Sequence, residues 1–165
     1  MLTHERAIEI FLYEKESGLL YRKLPNGMTR LQKCTDNKGY VITYADKKCY
    51  KAHRIIWLLE HGKFPDKILD HINGIRDDNR IENLREADFT QNNANKVMRK
   101  KKSNLPKGTR IKDRPKPYVA YIYIDKKPVY LGAFKTKDES AEAYNNAAIK
   151  HFGDYASLNK IGVWD

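Results

Sequence analysis

The sequence predicts an α+β fold made of two modules, and three observations lead to this prediction. Aromatic and β-branched residues flank the turn pairs Ser17-Gly18 and Asp46-Lys47, which indicates hairpins over 11–24 and 40–52 in a small N-terminal antiparallel sheet. Strand patterns near the C-terminus precede a single amphipathic helix. A chain of 165 residues has room for one ordinary domain or two small ones.

The middle of the chain alternates between helix and strand patterns. Residues 53–62 place five apolar residues within three turns and end on a glycine, which predicts a core helix. Residues 66–72 alternate as a short strand, and a polar loop follows at 73–79. Asp88 and Gln91 have the spacing of a capping box, so we expect another helix to start there and to run toward the basic residues near 100.

The C-terminal part has the pattern of a sheet followed by a helix. Strands are predicted at 108–112, 117–125 and 127–134. Thr136 and Glu139 have capping-box spacing, and apolar residues then recur at steps of three and four as far as Gly153. This pattern predicts an amphipathic helix packed on a three-stranded sheet.

The positive charge is concentrated in two regions. The net charge is +11, and residues 96–137 alone hold 14 Lys and Arg against 2 Asp. Residues 22–51 hold 8 basic and 2 acidic residues, whereas 53–92 hold 6 basic and 8 acidic ones. Two basic surfaces on either side of a slightly acidic centre suit a polyanion-binding protein with a cation site between its contacts. The run Lys100-Lys101-Lys102 fits a nucleic-acid contact or a solvated linker.

Cysteine spacing and hydropathy exclude several classes. Cys34 and Cys49 form no CxxC pair, so neither a disulfide framework nor a four-cysteine zinc site is expected. No stretch reaches the ~18 apolar residues of a membrane span, and the N-terminus lacks a leader pattern. We therefore expect an intracellular protein.

Asp70, His71 and Asn92 carry the groups that phosphodiester hydrolysis needs. A histidine that titrates near neutrality can deprotonate water, and carboxylate and amide oxygens suit a hard divalent cation. In an extended strand, neighbouring side chains point to opposite faces. The two adjacent residues can therefore serve one site only if the loop that follows bends the strand end.

The segment 53–93, "HRIIWLLEHGKFPDKILDHINGIRDDNRIENLREADFTQNN", resembles the HNH nucleases of phages and group I introns. The resemblance implies a ββα-metal core in which His71 is the general base and Asn83 fixes the loop that orients it. It further implies that Asp70 and Asn92 hold one divalent ion. Asn92 stands at the final position of the motif, and an asparagine there favours Mg²⁺ or Mn²⁺ over Zn²⁺.

Some residues of this segment have alternative interpretations. Asn93 and Asn95 are rivals of Asn92, because a shift in register would exchange the ligands. Other polar residues in and around the segment are expected to be packed or solvated rather than ligands: His53, His61, Asp77 and Asp78.

Residues 107–159 resemble the AP2 domain, through Gly108, "YVAYI", "VYLGAF" and the alanine-rich helix that ends in "ASLN". This resemblance implies a three-stranded sheet that enters the major groove of DNA. The implied contact residues are Arg110, Lys112, Lys116, Tyr118, Tyr121, Tyr123 and Tyr130. Tyr118 and Tyr130 stand where the plant domains place tryptophans, so their target sequence is not transferred. The alternative is that the tyrosines only cover a sheet face.

Together these patterns predict a metal-dependent, site-specific DNA endonuclease of the nicking, homing type. The expected organisation is a nuclease domain at 1–98, a basic linker at 99–107 and an AP2-like domain at 108–165. The expected partner is double-stranded DNA, bound by a monomer in the cytoplasm of a bacterial host, with a phage or an intron as the source. The alternatives are a non-catalytic DNA-binding regulator and an RNA-binding basic protein.

Overall fold

The computed structural model describes residues 1–95 and 104–164 as a mixed α+β fold with several small antiparallel sheets. The chain divides into two compact units, Met1–Asp88 and Phe89–Asp165. The nuclease, linker and AP2-like boundaries remain a prediction, and Lys100, Lys101 and Lys102 lie outside the described residues. Within the described ranges, no helix is long and apolar enough to cross a membrane.

The first unit holds two α-helices, one three-stranded sheet and two antiparallel strand pairs. Its elements are α1 (His4–Ile10), β1 (Phe11–Glu14), β2 (Leu19–Lys23), β3 (Thr29–Leu31), β4 (Ile42–Ala45), β5 (Lys48–Lys51), α2 (Ala52–His61), β6 (Ile68–His71), a 3-10 turn (Ile81–Asn83) and β7 (Leu84–Ala87). Strands β1, β2 and β3 form one sheet, and β4–β5 and β6–β7 form antiparallel pairs.

Both predicted hairpins are confirmed. Strands β1 and β2 flank the turn at Gly18, and β4 and β5 flank Asp46 and Lys47. Asp46 and Lys47 have φ values of 47° and 64°, the left-handed pair that a two-residue hairpin turn requires. The local turn chemistry therefore fixes the register of both hairpins.

Helix α2 forms the centre of the first core. Ile55, Ile56 and Leu58 are almost completely buried, and the helix ends as predicted at Gly62, whose φ of 72° is left-handed. Residues of α1, β1 and β2 join this core: Ala7, Ile10, Phe11 and Leu20. Leu84 of β7 belongs to the same cluster, so this core also packs against the β6–β7 pair.

The second unit contains α3 (Phe89–Ala94), β8 (Thr109–Ile111), β9 (Tyr118–Ile124), β10 (Lys127–Phe134), α4 (Lys137–Phe152) and a 3-10 turn (Gly153–Tyr155). Its antiparallel sheet has the order β10-β9-β8. Thr136 and Glu139 make both bonds of the predicted capping box at the start of α4. Ile122 on β9 packs against Tyr144 and Ala148 of α4, so the helix covers one face of the sheet.

Helix α1 and strand β3 of the first unit were not predicted. Helix α1 has seven residues and leads directly into β1, so its pattern is too short to separate from the strand. Thr3 caps it by accepting a hydrogen bond from the Arg6 N–H at 3.2 Å. Strand β3 lies at a sheet edge with all residues exposed and therefore shows no apolar alternation.

Candidate active site

The β6–β7 pair places the Asp70-His71 dipeptide in the interior of the first unit. Asp70 lies opposite Arg85 in the register and His71 lies opposite Leu84. Asp70 is 7% exposed and His71 is 4% exposed. Both side chains are therefore held by protein contacts, although they occupy adjacent positions at a strand end.

The Asn83 side chain closes the loop that follows β6. Its Oδ1 accepts a hydrogen bond from the Asn73 N–H at 3.0 Å. Its Nδ2 donates to Asn73 Oδ1 at 3.0 Å and to the Asp78 carbonyl at 2.8 Å. Asn83 is 6% exposed, so these bonds form away from solvent and join both ends of the loop.

Asn79 holds the His71 ring. Asn79 Oδ1 lies 3.0 Å from His71 Nε2, and Asn79 is 3% exposed. Because an amide oxygen only accepts hydrogen bonds, this contact favours the neutral tautomer with the proton on Nε2, which leaves the lone pair on Nδ1. Burial lowers the pKa of His71, although the bond to Asn79 opposes this shift, so the neutral form is favoured near pH 7.

An ion pair and the first hairpin support the same loop. Asp78 binds Arg80 through two bonds, at 2.9 and 2.7 Å, and this pairing lowers the pKa of Asp78 to about 2. Gly18 packs so closely against the loop that a Cβ there would lie 2.5 Å from the Arg80 backbone nitrogen. The Tyr13 hydroxyl accepts a hydrogen bond from the Ile81 N–H at 2.9 Å.

An aromatic cluster lies beside His71. The His53 ring meets His71 edge to face with centroids 5.0 Å apart, and Tyr40 lies 5.4 Å from His53 and 5.9 Å from His71. Burial lowers the pKa of His53 to about 3, so its ring is neutral. His53 is packed in this cluster, and His61 is exposed with its ring edge against Trp57.

Asp70 is held by Arg85, whose Nε and a terminal nitrogen each lie 3.1 Å from Asp70 Oδ2. The described residues contain no cluster of three or more His, Cys, Asp or Glu that could hold a metal. The predicted pair of a carboxylate and an amide still suits a hard divalent ion, which keeps water and phosphate oxygens as its remaining ligands.

The other predicted ligand and its rivals belong to the second unit. Asn92 is partly exposed on α3, Asn93 lines a cavity of about 660 Å³ in that unit, and Asn95 is 7% exposed just beyond the helix. The pairing of Asp70 with Asn92 therefore remains a prediction.

The predicted contact residues of the second unit include a cluster on the sheet. Arg110 donates to the Tyr123 hydroxyl at 2.7 Å, and its guanidinium carbon lies 5.3 Å from the Tyr121 ring centre. Tyr121 pairs with Tyr130 across β9 and β10, with ring centroids 5.7 Å apart. Tyr123 and Tyr130 are each more than half exposed, so the cluster offers solvent an aromatic and cationic surface.

The remaining predicted contacts lie around this cluster. Lys112 and Lys116 are exposed in the β8–β9 connection, where the Lys112 N–H donates to the Pro117 carbonyl at 2.9 Å. Tyr118 is partly exposed at the start of β9.

Sequence reasoning did not single out Asn79 or Tyr40. Asn79 lies in a loop rich in turn-forming residues, so its position eight residues after His71 carries no signal of its own. Tyr40 lies 31 residues before His71 and reaches it only through the tertiary fold. Only the three-dimensional structure shows that these residues contact or neighbour the histidine.

Comparison with known proteins gives a match for the segment that contains Asp70 and His71. Residues 50–94 match the sequence profile of a family described as HNH endonuclease. The chain is 34% identical over 125 residues to a protein of Acanthamoeba polyphaga mimivirus that is named an uncharacterized HNH endonuclease. That alignment covers 74% of this chain and 64% of the viral protein. No solved structure matches the chain significantly.

Proposed function

We propose that this HNH-domain protein is an endonuclease that hydrolyses phosphodiester bonds of double-stranded DNA. The observation that carries the proposal is the geometry of His71 within the matched segment 50–94. The ring is buried beside Asp70, and its Nε2 is held by Asn79 at 3.0 Å.

His71 acts as the general base. Asn79 fixes the tautomer in which Nδ1 carries the lone pair, and burial keeps the ring neutral, so Nδ1 can take a proton from an attacking water. Asn83 supports this geometry because its three side-chain bonds hold the loop that carries Asn79. The proton then resides on the imidazole, and neighbouring carboxylates stabilise the cation.

Asp70 holds a divalent ion in this proposal, and Mg²⁺ or Mn²⁺ fits its oxygen donor better than Zn²⁺ does. The bound ion would stabilise charge on the leaving oxygen. Arg85 fixes the direction of the carboxylate through Oδ2. Asn92 is retained as the proposed second ligand.

The second unit provides DNA contacts in this proposal. Its three-stranded sheet with α4 on one face agrees with an AP2-like domain. Arg110 with Tyr121, Tyr123 and Tyr130 would lie against the DNA, and the basic linker would contact phosphates. Site-specific nicking by a monomer and a homing role complete the proposal.

Supercoiled plasmid with Mg²⁺ provides the test of catalysis. We expect relaxed circles with the wild-type protein and none with His71→Ala or with EDTA. His61→Ala is the matched control, because His61 is an exposed histidine outside the site, and it should nick at the wild-type rate. Plasmid that is retarded in a gel but remains intact under all conditions would contradict catalysis and favour a non-catalytic DNA-binding regulator.

The salt dependence of binding provides the test for the sheet. Replacing Arg110 and Lys112 with Ala should weaken DNA binding and lower the slope of log Kd against log salt by about one per lost phosphate contact. An unchanged slope would remove both residues from the interface.

A further inference from the structure

Two cationic side chains lie against the ring of Tyr40 in the first unit. Lys51 Nζ is 3.9 Å from the ring centre, and the Arg76 guanidinium carbon is 5.2 Å from it. Such distances allow a cation–π attraction that holds both charges in place. The same ring neighbours His71, with centroids 5.9 Å apart.

Three separate segments bring these residues together. Lys51 is the last residue of β5, directly before α2, and Arg76 belongs to the loop that follows β6. Tyr40 closes a turn in which Asp36 Oδ1 accepts from the Lys38 and Tyr40 N–H groups at 2.8 and 3.0 Å. Arg76 is joined to this turn because it donates to the Lys38 carbonyl at 2.5 Å.

Neither cation forms an ion pair with a carboxylate in the part of the chain that the structure describes. Within residues 1–95 and 104–164, no ion pair involves Lys51 or Arg76, whereas other basic residues of the first unit, such as Arg6 and Lys63, do form ion pairs. The nearby carboxylate of Asp36 is bound to backbone N–H groups. Lys51 is attracted electrostatically to the nearby Asp36 carboxylate, and a bound anion would add a second negative charge beside the two cations.

The site is open to solvent on the side of the cations. Arg76 is exposed and Lys51 is half-buried, whereas His53 and His71 are buried. His53 is neutral and adds no third charge to the cluster. An anion that binds from solvent can therefore reach these cations, and the ring that they contact also neighbours His71.

We propose that Lys51 and Arg76 form a binding site for a backbone phosphate of the DNA substrate and place it beside His71. The inference rests on the proposed nuclease function, because it assigns residues to the same substrate. The anion is a phosphodiester of duplex DNA. Lys51 supplies a compact charge and Arg76 a planar fork that can bind two phosphate oxygens.

Matched pairs of variants provide the test. Lys51→Met and Arg76→Gln remove the proposed contacts. Lys63→Met and Arg6→Gln remove a lysine and an arginine that are already paired with Asp66 and Glu9, at 2.8 and 2.7 Å. Lys51→Arg keeps a cation and should retain binding.

Duplex binding is measured first in EDTA, across a series of salt concentrations. Each of Lys51→Met and Arg76→Gln should lower the slope of log Kd against log salt by about 0.9, whereas both controls should keep the wild-type slope. Nicking with Mg²⁺ should then show kcat/KM about tenfold lower for each test variant, as expected when a charge-assisted hydrogen bond is lost. Arg76 is exposed, so Arg76→Gln carries the test if Lys51→Met does not fold.

The two proposals fail in different ways. If the wild-type protein nicks DNA and the test variants match their controls in slope and in kcat/KM, the phosphate site is wrong and the nuclease function stands. If the wild-type protein binds without nicking while the test variants lose slope, the nuclease function is wrong and the phosphate contact stands.

Discussion

Replacing Asn83 with alanine should destabilise the first unit strongly, because one side chain closes the whole loop. The substitution removes three hydrogen bonds, of 3.0, 3.0 and 2.8 Å, from a site that is 6% exposed. At about 1 kcal/mol per bond, the expected loss in the free energy of unfolding is about 3 kcal/mol. A loss of this size is a large fraction of the stability of a small domain.

The measurement must report the first unit alone, since two compact units can unfold separately. The chain has two tryptophans, Trp57 in the first unit and Trp164 in the second. In a Trp164→Phe background, urea unfolding followed by fluorescence therefore reports the first unit. Hydrogen exchange of the Asn73 N–H should also become faster, because this group loses its acceptor.

Asn26→Ala is the matched control. Asn26 is an exposed turn asparagine whose Oδ1 accepts one bond, from the Met28 N–H at 3.1 Å. Its replacement should cost about 0.5 kcal/mol. If Asn83→Ala costs no more than this control and the Asn73 amide remains protected, the loop does not depend on Asn83.

Further predictions concern the same loop. Asn79→Ala should release the His71 ring from a single tautomer, detected by ¹⁵N NMR, and lower nicking about tenfold; an unchanged spectrum would mean that another contact sets the tautomer. Gly18→Ala should lower the free energy of unfolding in urea by more than about 1 kcal/mol, since the residue has a φ of 74° and its Cβ would lie 2.5 Å from the Arg80 backbone nitrogen. An unchanged free energy of unfolding would show that the turn can shift to accommodate the Cβ. Asp78 has its pKa lowered from 3.8 to about 2, so its contribution to stability is present above pH 4 and is lost as the pH falls toward 2. The stability difference between the wild type and Asp78→Asn should therefore shrink over that range, and a constant difference would contradict the ion pair.

The sequence predicted elements whose signals are local. The turn pair Asp46-Lys47, the helix that ends at Gly62 and the capping box of α4 depend on residues within a few positions of each other. In each of these elements the side chains of neighbouring residues determine the backbone geometry, so residue type and spacing are sufficient to predict it. The exposed edge strand β3 has no such signal.

The candidate site could be proposed from the sequence because several of its residues lie close together in the chain. Asp70 and His71 are adjacent, and the segment around them matches a family of nucleases. Asn79 and Tyr40 reach the histidine, and Lys51 reaches Tyr40, through tertiary packing that the sequence alone does not specify. The metal role of Asn92 stays a prediction, since that residue lies in the other compact unit.

The contact of the β1–β2 hairpin with the loop after β6 bears on whether the segment 50–94 can keep its structure outside this chain. The matched family segment begins at residue 50, yet the backbone after Asn79 rests on Gly18, and Tyr13 accepts from Ile81. A transplanted fragment of residues 50–94 would leave this scaffolding behind. In such a fragment His71 would keep its neighbours in sequence but lose the hairpin contacts that support its loop. A transfer of this segment to another protein therefore requires that the β1–β2 hairpin be transferred with it.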